Sequence, residues 1–165
     1  MKIAAALREA HVAETELAAE LLRVGERHKV EHDVFHLTRT LTTWCERHIT
    51  RLATHASRYG IDLDADAVDD EEQDDGGLLS RVRERGAELL GRRPEPGLLL
   101  LRDLRDLHLA AARTSIAWTV LGQGAQAVQD ADLLETVTAS HPEAIRTMKW
   151  TVQKLKEASP QVLAS

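Results

Sequence analysis

The stretch VFHLTRTLTTWCERHITRLATHASRY, residues 34–59, decides the fold, because its apolar side chains recur at alternating steps of three and four. This spacing lines one face of an α-helix and is typical of a helix that packs in a bundle. Two histidines, His48 and His55, stand in the otherwise apolar seam. A buried imidazole is costly unless it is hydrogen-bonded or binds a metal ion. The stretch therefore predicts a bundle helix that carries polar groups in the core.

Three other segments carry the same repeat, so we predict an all-α fold with four long helices, over residues 3–28, 33–59, 98–123 and 130–158. All belong to one domain, residues 1–165, and a crossover over residues 60–97 with a short helix near 78–90 joins its halves. Two antiparallel hairpins linked by one long crossover form a ferritin-type four-helix bundle. Since no proline enforces the first turn, one continuous helix over residues 3–59 is an alternative.

Several residues suggest where these helices begin and end. Asp33 is a good N-cap for the second helix, and Gly122 and Gly124 are expected to form the turn after the third. The fourth helix is expected to end before Pro160. Pro142 lies inside this helix and removes a backbone N–H, so we expect either a kink there or two helices that meet.

The seams of all four helices contain a polar residue near the middle. If the chain turns near residue 31, Glu14 of the first helix lies level with His48 of the second. If it turns again near residue 126, His141 of the fourth helix lies level with Ala112, about one turn from His108. The sequence therefore predicts a polar layer at the centre of the bundle.

The seam pattern and the helix order resemble the ferritin-like superfamily, including its small bacterial bundle proteins. The closing stretch from His141 through Lys156-Glu-Ala-Ser-Pro-Gln is similar to the last helix of such proteins. Di-iron members of this superfamily carry a Glu on the first and third helices and Glu-x-x-His on the second and fourth. The resemblance therefore implies a bundle whose centre is built on these positions.

Only some of those positions match. Glu14, His48 and His141 correspond to family ligands, but Cys45 and Thr138 stand where Glu-x-x-His has its glutamates. The third helix offers no glutamate at this level, only His108 or Ala111. Because bridging carboxylates hold the two irons together, the resemblance implies that the di-iron centre has been lost.

Two interpretations of the polar layer are open. In the first, its members hydrogen-bond to one another, no cofactor is bound, and the chain is a structural or interaction module. In the second, Glu14, His48, His108 and His141 hold one divalent ion, iron or zinc, because imidazoles and a carboxylate suit such ions. The protein would then be a metal-binding protein or an oxidoreductase.

Composition limits the partners and the compartment. The net charge is −6, but residues 62–75 contain nine acidic and no basic residues, which indicates a solvated acidic loop. No basic stripe suggests nucleic acid, and no apolar run is long enough for a membrane span. The single cysteine, Cys45, suits a reducing compartment, so we expect a soluble cytoplasmic protein. A homodimer is the expected assembly.

Three further histidines, His28, His32 and His36, are spaced four residues apart. This spacing on one helix would suit a metal ion. They straddle the predicted first turn, however, so we expect solvated side chains that do not share a helix.

Overall fold

The computed structural model describes residues 2–63 and 95–165. Four long helices occur in these ranges: α1 (Lys2–Arg27), α2 (His32–Ala56), α3 (Pro96–Ala127) and α4 (Ala131–Leu163). These two ranges contain no β-strand, so the all-α class is confirmed. The predicted acidic loop after Leu63 and the short helix near residues 78–90 lie outside the described residues.

Local backbone chemistry sets the helix ends. A 3-10 turn, Ser57–Tyr59, extends α2, and Gly60 follows in the left-handed conformation with a φ of 67°. At the start of α3, the Glu95 carboxylate accepts hydrogen bonds from the backbone N–H groups of the first turn, and Pro96 fills the first helical position. The predicted N-cap Asp33 instead lies inside the first turn of α2, because the helix begins one residue earlier.

The chain turns over residues 28–31, so the alternative of one helix over residues 3–59 is wrong. Contacts between side chains show that α1 runs antiparallel to α2 and that α3 runs antiparallel to α4. Glu14 near the middle of α1 contacts Trp118 of α3, and Arg27 near the end of α1 contacts Asp103 near the start of α3. Helices α1 and α3 are therefore antiparallel as well, and α2 and α3 run in the same direction.

Helices α3 and α4 are longer than predicted, because neither glycines nor prolines interrupt them. Gly122 stays helical and faces α4, where an added Cβ would lie 3.0 Å from Cγ1 of Val137. The turn therefore lies at residues 128–130, where Gln129 adopts a φ of 58°. Pro142 and Pro160 both lie inside the single helix α4.

The heptad spacing predicts that Leu134, Val137, His141, Ile145 and Met148 form the core side of α4, but of these only Val137 is buried. The core side of α4 is formed by small residues such as Ser140, Ala144, Thr147 and Thr151. Small side chains let the helix approach its neighbours closely around the large, fully buried Trp118. The larger neighbours of these small residues, including His141, therefore lie at the flank of the helix.

Apolar side chains fill the rest of the interior on both sides of the central layer. One cluster surrounds Trp118 near the start of α1, and the other surrounds Leu104 and Leu107 near the end of α1. Among the helices described, none is sufficiently long and apolar to cross a membrane.

Candidate functional site

The centre of the bundle holds a carboxylate and an imidazole that are almost completely buried. Glu14 of α1 and His48 of α2 are each 1% exposed, and Nδ1 of His48 lies 2.8 Å from Oε1 of Glu14. Both residues come from seam positions, and the first turn of the chain brings them level. The predicted pairing of Glu14 with His48 is therefore confirmed.

The second nitrogen of His48 is bound to another carboxylate. Nε2 of His48 lies 2.7 Å from Oε2 of Glu143 on α4, and Arg47 donates to both oxygens of Glu143 at 2.8 and 2.7 Å. Burial alone would raise the pKa of Glu143, but the bonds from Arg47 and His48 outweigh it and leave this pKa below its ordinary value. An ionised Glu143 only accepts hydrogen bonds, so Nε2 of His48 donates.

Trp118 of α3 completes the layer, because its indole Nε1 donates to Oε1 of Glu14 at 2.6 Å. Its ring meets the imidazole of His48 edge to face, with centroids 5.7 Å apart and an interplanar angle of 82°. This layer, consisting of Glu14, His48, Trp118 and Glu143, thus joins all four helices. The second oxygen of Glu14, Oε2, is buried and has no hydrogen-bond partner in the described part of the chain.

The thiol of Cys45 lies one helical turn before His48 and is 3% exposed. Burial and the neighbouring Glu14 carboxylate raise the pKa of this thiol strongly. The thiol is therefore protonated at neutral pH, and no positive group in the described part of the chain lowers its pKa as a nucleophilic cysteine would require.

His108 and His141 do not join this layer. Nδ1 of His108 lies 2.8 Å from Oγ1 of Thr151, and Nε2 of His141 lies 3.0 Å from Oγ of Ser115. Both contacts lie between α3 and α4. The turn between these helices comes later in the chain than predicted, so His141 contacts Ser115 instead of Ala112. Both His108 and His141 lie at the flank of their helix and not on its core side.

The four predicted metal ligands are therefore not brought together. Within residues 2–63 and 95–165, no three His, Cys, Asp or Glu side chains are arranged to hold a metal ion. Both nitrogens of His48 are engaged by carboxylates, so a metal ion could bind this ring only if one of these hydrogen bonds were broken. Among the described residues, the bundle centre offers two carboxylates, Glu14 and Glu143, and one imidazole, which are fewer ligands than a di-iron centre requires.

A second buried carboxylate, Asp103, was missed by the sequence analysis. It is 0% exposed, and its Oδ2 lies 2.8 Å from Nε2 of His28 and 3.2 Å from Nη1 of Arg27. Arg23 and Arg102 each come within 3.7 Å of Oδ1. Burial would raise the pKa of Asp103, but these bonds and positive charges outweigh it and hold this pKa below its ordinary value.

An open cavity of about 370 Å³ adjoins His28 at this end of the bundle. Apolar side chains such as Leu100 and Val162 form much of its wall, and Lys154 contributes a charge that is paired with Asp33. Glu31 and Glu157 also line it, so the wall carries charges of both signs. This balance does not favour one class of ligand.

A third cluster connects the opposite end of α2 to the turn between α3 and α4. Asp130 accepts from Tyr59 and from the backbone N–H of Leu133, while Arg58 lies 3.2 Å from the same carboxylate. The bond from Tyr59 is the main reason that the pKa of Asp130 is lowered, and burial with the same bond raises the pKa of Tyr59 to about 12. His55 contacts Arg58 and Thr136, and burial lowers its pKa.

Sequence periodicity finds Glu14 and His48 because both lie on core seams. Glu143 lies beside the seam of α4. Its contact with His48 depends on how α4 packs against α2, and no short turn joins these two helices to fix that packing. Asp103 follows Leu100 by three residues and Leu107 follows it by four. Because residues three and four apart lie on the same face of a helix, this spacing could have predicted that Asp103 is buried.

No family model, curated protein or solved structure matches this chain.

Proposed function

We propose that this chain is a ferritin-like bundle protein that serves as a structural or interaction module and not as a di-iron protein. The observation that carries the proposal is the double engagement of His48. Its two ring nitrogens lie 2.8 and 2.7 Å from oxygens of Glu14 and Glu143, so hydrogen bonds occupy both positions at which a metal ion could bind. The direction of the helices and the position of Glu14 on α1 support the ferritin-like assignment.

The polar layer can specify how the four helices are aligned with one another. Buried polar groups are stable only when each is bonded, so Glu14, His48 and Trp118 favour the one register in which all three find partners. Apolar packing alone would tolerate other registers. In this proposal, polar residues of an ancestral metal site are retained because they favour one alignment of the helices.

Elemental analysis tests the proposal directly. The protein is purified without a histidine tag, incubated with iron(II) or zinc, and desalted before its metal content is measured. We expect no stoichiometric metal that depends on His48, so His48→Gln and the unmodified protein retain equal amounts. One retained ion per chain that His48→Gln abolishes would contradict the proposal.

An exposed apolar stripe on α3 supports the interaction role. Four of the eight exposed large apolar side chains in the described residues lie on this helix, including Leu109, Ile116 and Val120 at 60%, 63% and 49% exposure. Their spacing of seven and four places these three on one side, together with the exposed Arg113, whose guanidinium pairs with Glu16. A second copy of this chain is the partner that we expect, because antiparallel pairing of two α3 helices would bring the ends of the two stripes together.

Sedimentation velocity tests this assembly. We expect a homodimer, and Ile116→Asp should convert it to a monomer because it replaces the most exposed apolar side chain of the stripe by a carboxylate. Leu163→Asp is the matched control, since Leu163 is 68% exposed on α4, outside the stripe. A monomeric unmodified protein, or equal effects of both variants, would contradict the dimer.

A single-ion site is the alternative function, and one observation favours it. Oε2 of Glu14 is buried without a hydrogen-bond partner among the described residues, and it belongs to the same carboxylate as the oxygen bonded to His48. Iron or zinc held there would require His48 to give up its bond to Glu14. The elemental analysis above distinguishes the two functions.

A further inference from the structure

The histidines of this protein differ in whether their ring nitrogens are engaged. Five of them, His28, His48, His55, His108 and His141, have ring nitrogens in hydrogen bonds to named side chains. By contrast, neither ring of His32 or His36 has a hydrogen bond or ion pair among residues 2–63 and 95–165. Only a nitrogen with an available lone pair can coordinate a metal ion.

His32 and His36 also lie on the same helix, contrary to the expectation from the sequence. Helix α2 begins at His32, so His36 follows it by one turn on the same face. Their ring centroids are 6.4 Å apart, with an interplanar angle of 39°, and both side chains are exposed. Exposed side chains rotate readily, so small changes in torsion angles bring both rings toward one ion.

We propose that His32 and His36 form a surface chelate for one divalent transition-metal ion of the class of Zn²⁺ and Ni²⁺. Two neutral imidazoles occupy two coordination positions, and water fills the others. The site is distinct from the layer at the bundle centre, because it uses no residue of that layer. It therefore stands whether or not the central layer binds metal.

The surroundings of the pair suit a cation. Glu31, which precedes His32, is an exposed carboxylate that offsets the unfavourable positive end of the α2 dipole, whereas Asp33 is paired with the ammonium of Lys154. The nearest positive group along the helix, Arg39, stacks its guanidinium 4.3 Å from the centroid of the Phe35 ring. Phe35 in turn meets His36 edge to face, with ring centroids 5.3 Å apart and an interplanar angle of 76°.

Isothermal titration calorimetry of the untagged full chain with NiCl₂ and with ZnCl₂ tests the proposal. We expect one ion per chain from this site. His32→Gln and His36→Gln should each weaken its affinity by roughly 100-fold, because either change leaves one ligand without the second. His141→Gln is the matched control, since its imidazole contacts Ser115 and takes no part in the chelate.

Ring-nitrogen NMR signals of histidine provide a second readout that does not depend on affinity. Paramagnetic Ni²⁺ should broaden the signals of His32 and His36 first and leave those of His48 and His141 sharp. Circular dichroism of the variants should match the unmodified protein, because both side chains are exposed. Equal binding by the double variant, first broadening at His48, or no uptake of either ion would overturn the proposal.

Discussion

Glu143 extends from the flank of α4 to the interior, where its Oε2 lies 2.7 Å from Nε2 of the buried His48 while 18% of its own side chain is exposed. Arg47, which is 43% exposed, donates to both oxygens of this carboxylate. A continuous series of polar contacts therefore runs from the protein surface to Glu14. The buried residues of this series, Glu14 and His48, depend on each other for a hydrogen bond, whereas Glu143 and Arg47 are partly exposed to solvent.

The first prediction concerns the carboxylate at the centre. Glu14→Ala should lower the free energy of unfolding by about 2–4 kcal/mol, because it leaves the donors of His48 and Trp118 buried without an acceptor. Urea denaturation followed by circular dichroism measures this change. Glu16→Ala is the matched control on the same helix. It should cost less than about 1 kcal/mol, because Glu16 forms an exposed ion pair with Arg113.

A triple variant separates specificity from stability at the same site. Replacing Glu14 and His48 by Leu and Trp118 by Phe removes the fully buried polar groups of the layer and leaves Glu143 with its hydrogen bonds from Arg47. Because well-packed apolar groups often replace buried polar networks without loss, we expect a stability equal to or above that of Glu14→Ala. If the triple variant were less stable than Glu14→Ala in the same denaturation experiment, this account of the layer would fail.

The second prediction concerns the buried carboxylate between α1 and α3. Asp103→Asn should destabilise the protein by about 3 kcal/mol, because the charge that Arg27 and His28 face is removed from a buried position. Thermal unfolding should show a clear fall in Tm. Asp106→Asn, three residues along the same helix and 42% exposed, should change stability by no more than about 0.5 kcal/mol. Similar effects of the two changes would show that the buried cluster around Asp103 contributes little to the stability of the protein.

The third prediction compares two glycines that lie inside helices. An alanine Cβ at Gly25 would lie 2.2 Å from Oγ1 of Thr38 on α2, so Gly25→Ala should destabilise by about 1–2 kcal/mol. At Gly124 the nearest atom is Cδ1 of Ile3 at 3.5 Å, an ordinary contact. Gly124→Ala should therefore stabilise by about 0.5–1 kcal/mol through helix propensity. Urea midpoints of the two variants should move in opposite directions.

The fourth prediction concerns acid. The pKa values of Asp103 and Glu143 are lowered in the folded protein, so both carboxylates stabilise it above their unfolded pKa and lose this effect as the pH falls through the folded pKa. Burial lowers the pKa of His55 and His141, which must therefore gain protons on unfolding as the pH falls below about 6.5. All four groups therefore lower the stability of the folded protein as the pH falls.

Thermal melts between neutral pH and about pH 2 measure this dependence, because the two carboxylates titrate below their ordinary pKa of about 4. We expect Tm to fall first as the histidines titrate and again as the carboxylates titrate. In Asp103→Asn the second fall should be smaller, because one of the contributing groups is absent. An unchanged Tm across this range would contradict the directions of these pKa shifts.

Sequence alone predicts the four helices, the hairpin of α1 and α2 and the pair of Glu14 and His48, because heptad spacing and a short turn determine all three. It does not predict the contacts of α4. The expected seam favoured large side chains, whereas the core side of α4 uses Ser140, Ala144 and Thr147, which allow close packing. His141 consequently lies at the flank. Glu143 enters the site only through tertiary packing.

The antiparallel contacts of each helix with its neighbours have an electrostatic consequence for the molecule as a whole. Each end of the bundle combines two helix amino ends with two carboxyl ends, so the four macrodipoles largely cancel there. Neither end face therefore attracts ions of one sign through its backbone. Local attraction must come from individual side chains, such as the Asp103 cluster at one end and the Asp130 cluster at the other.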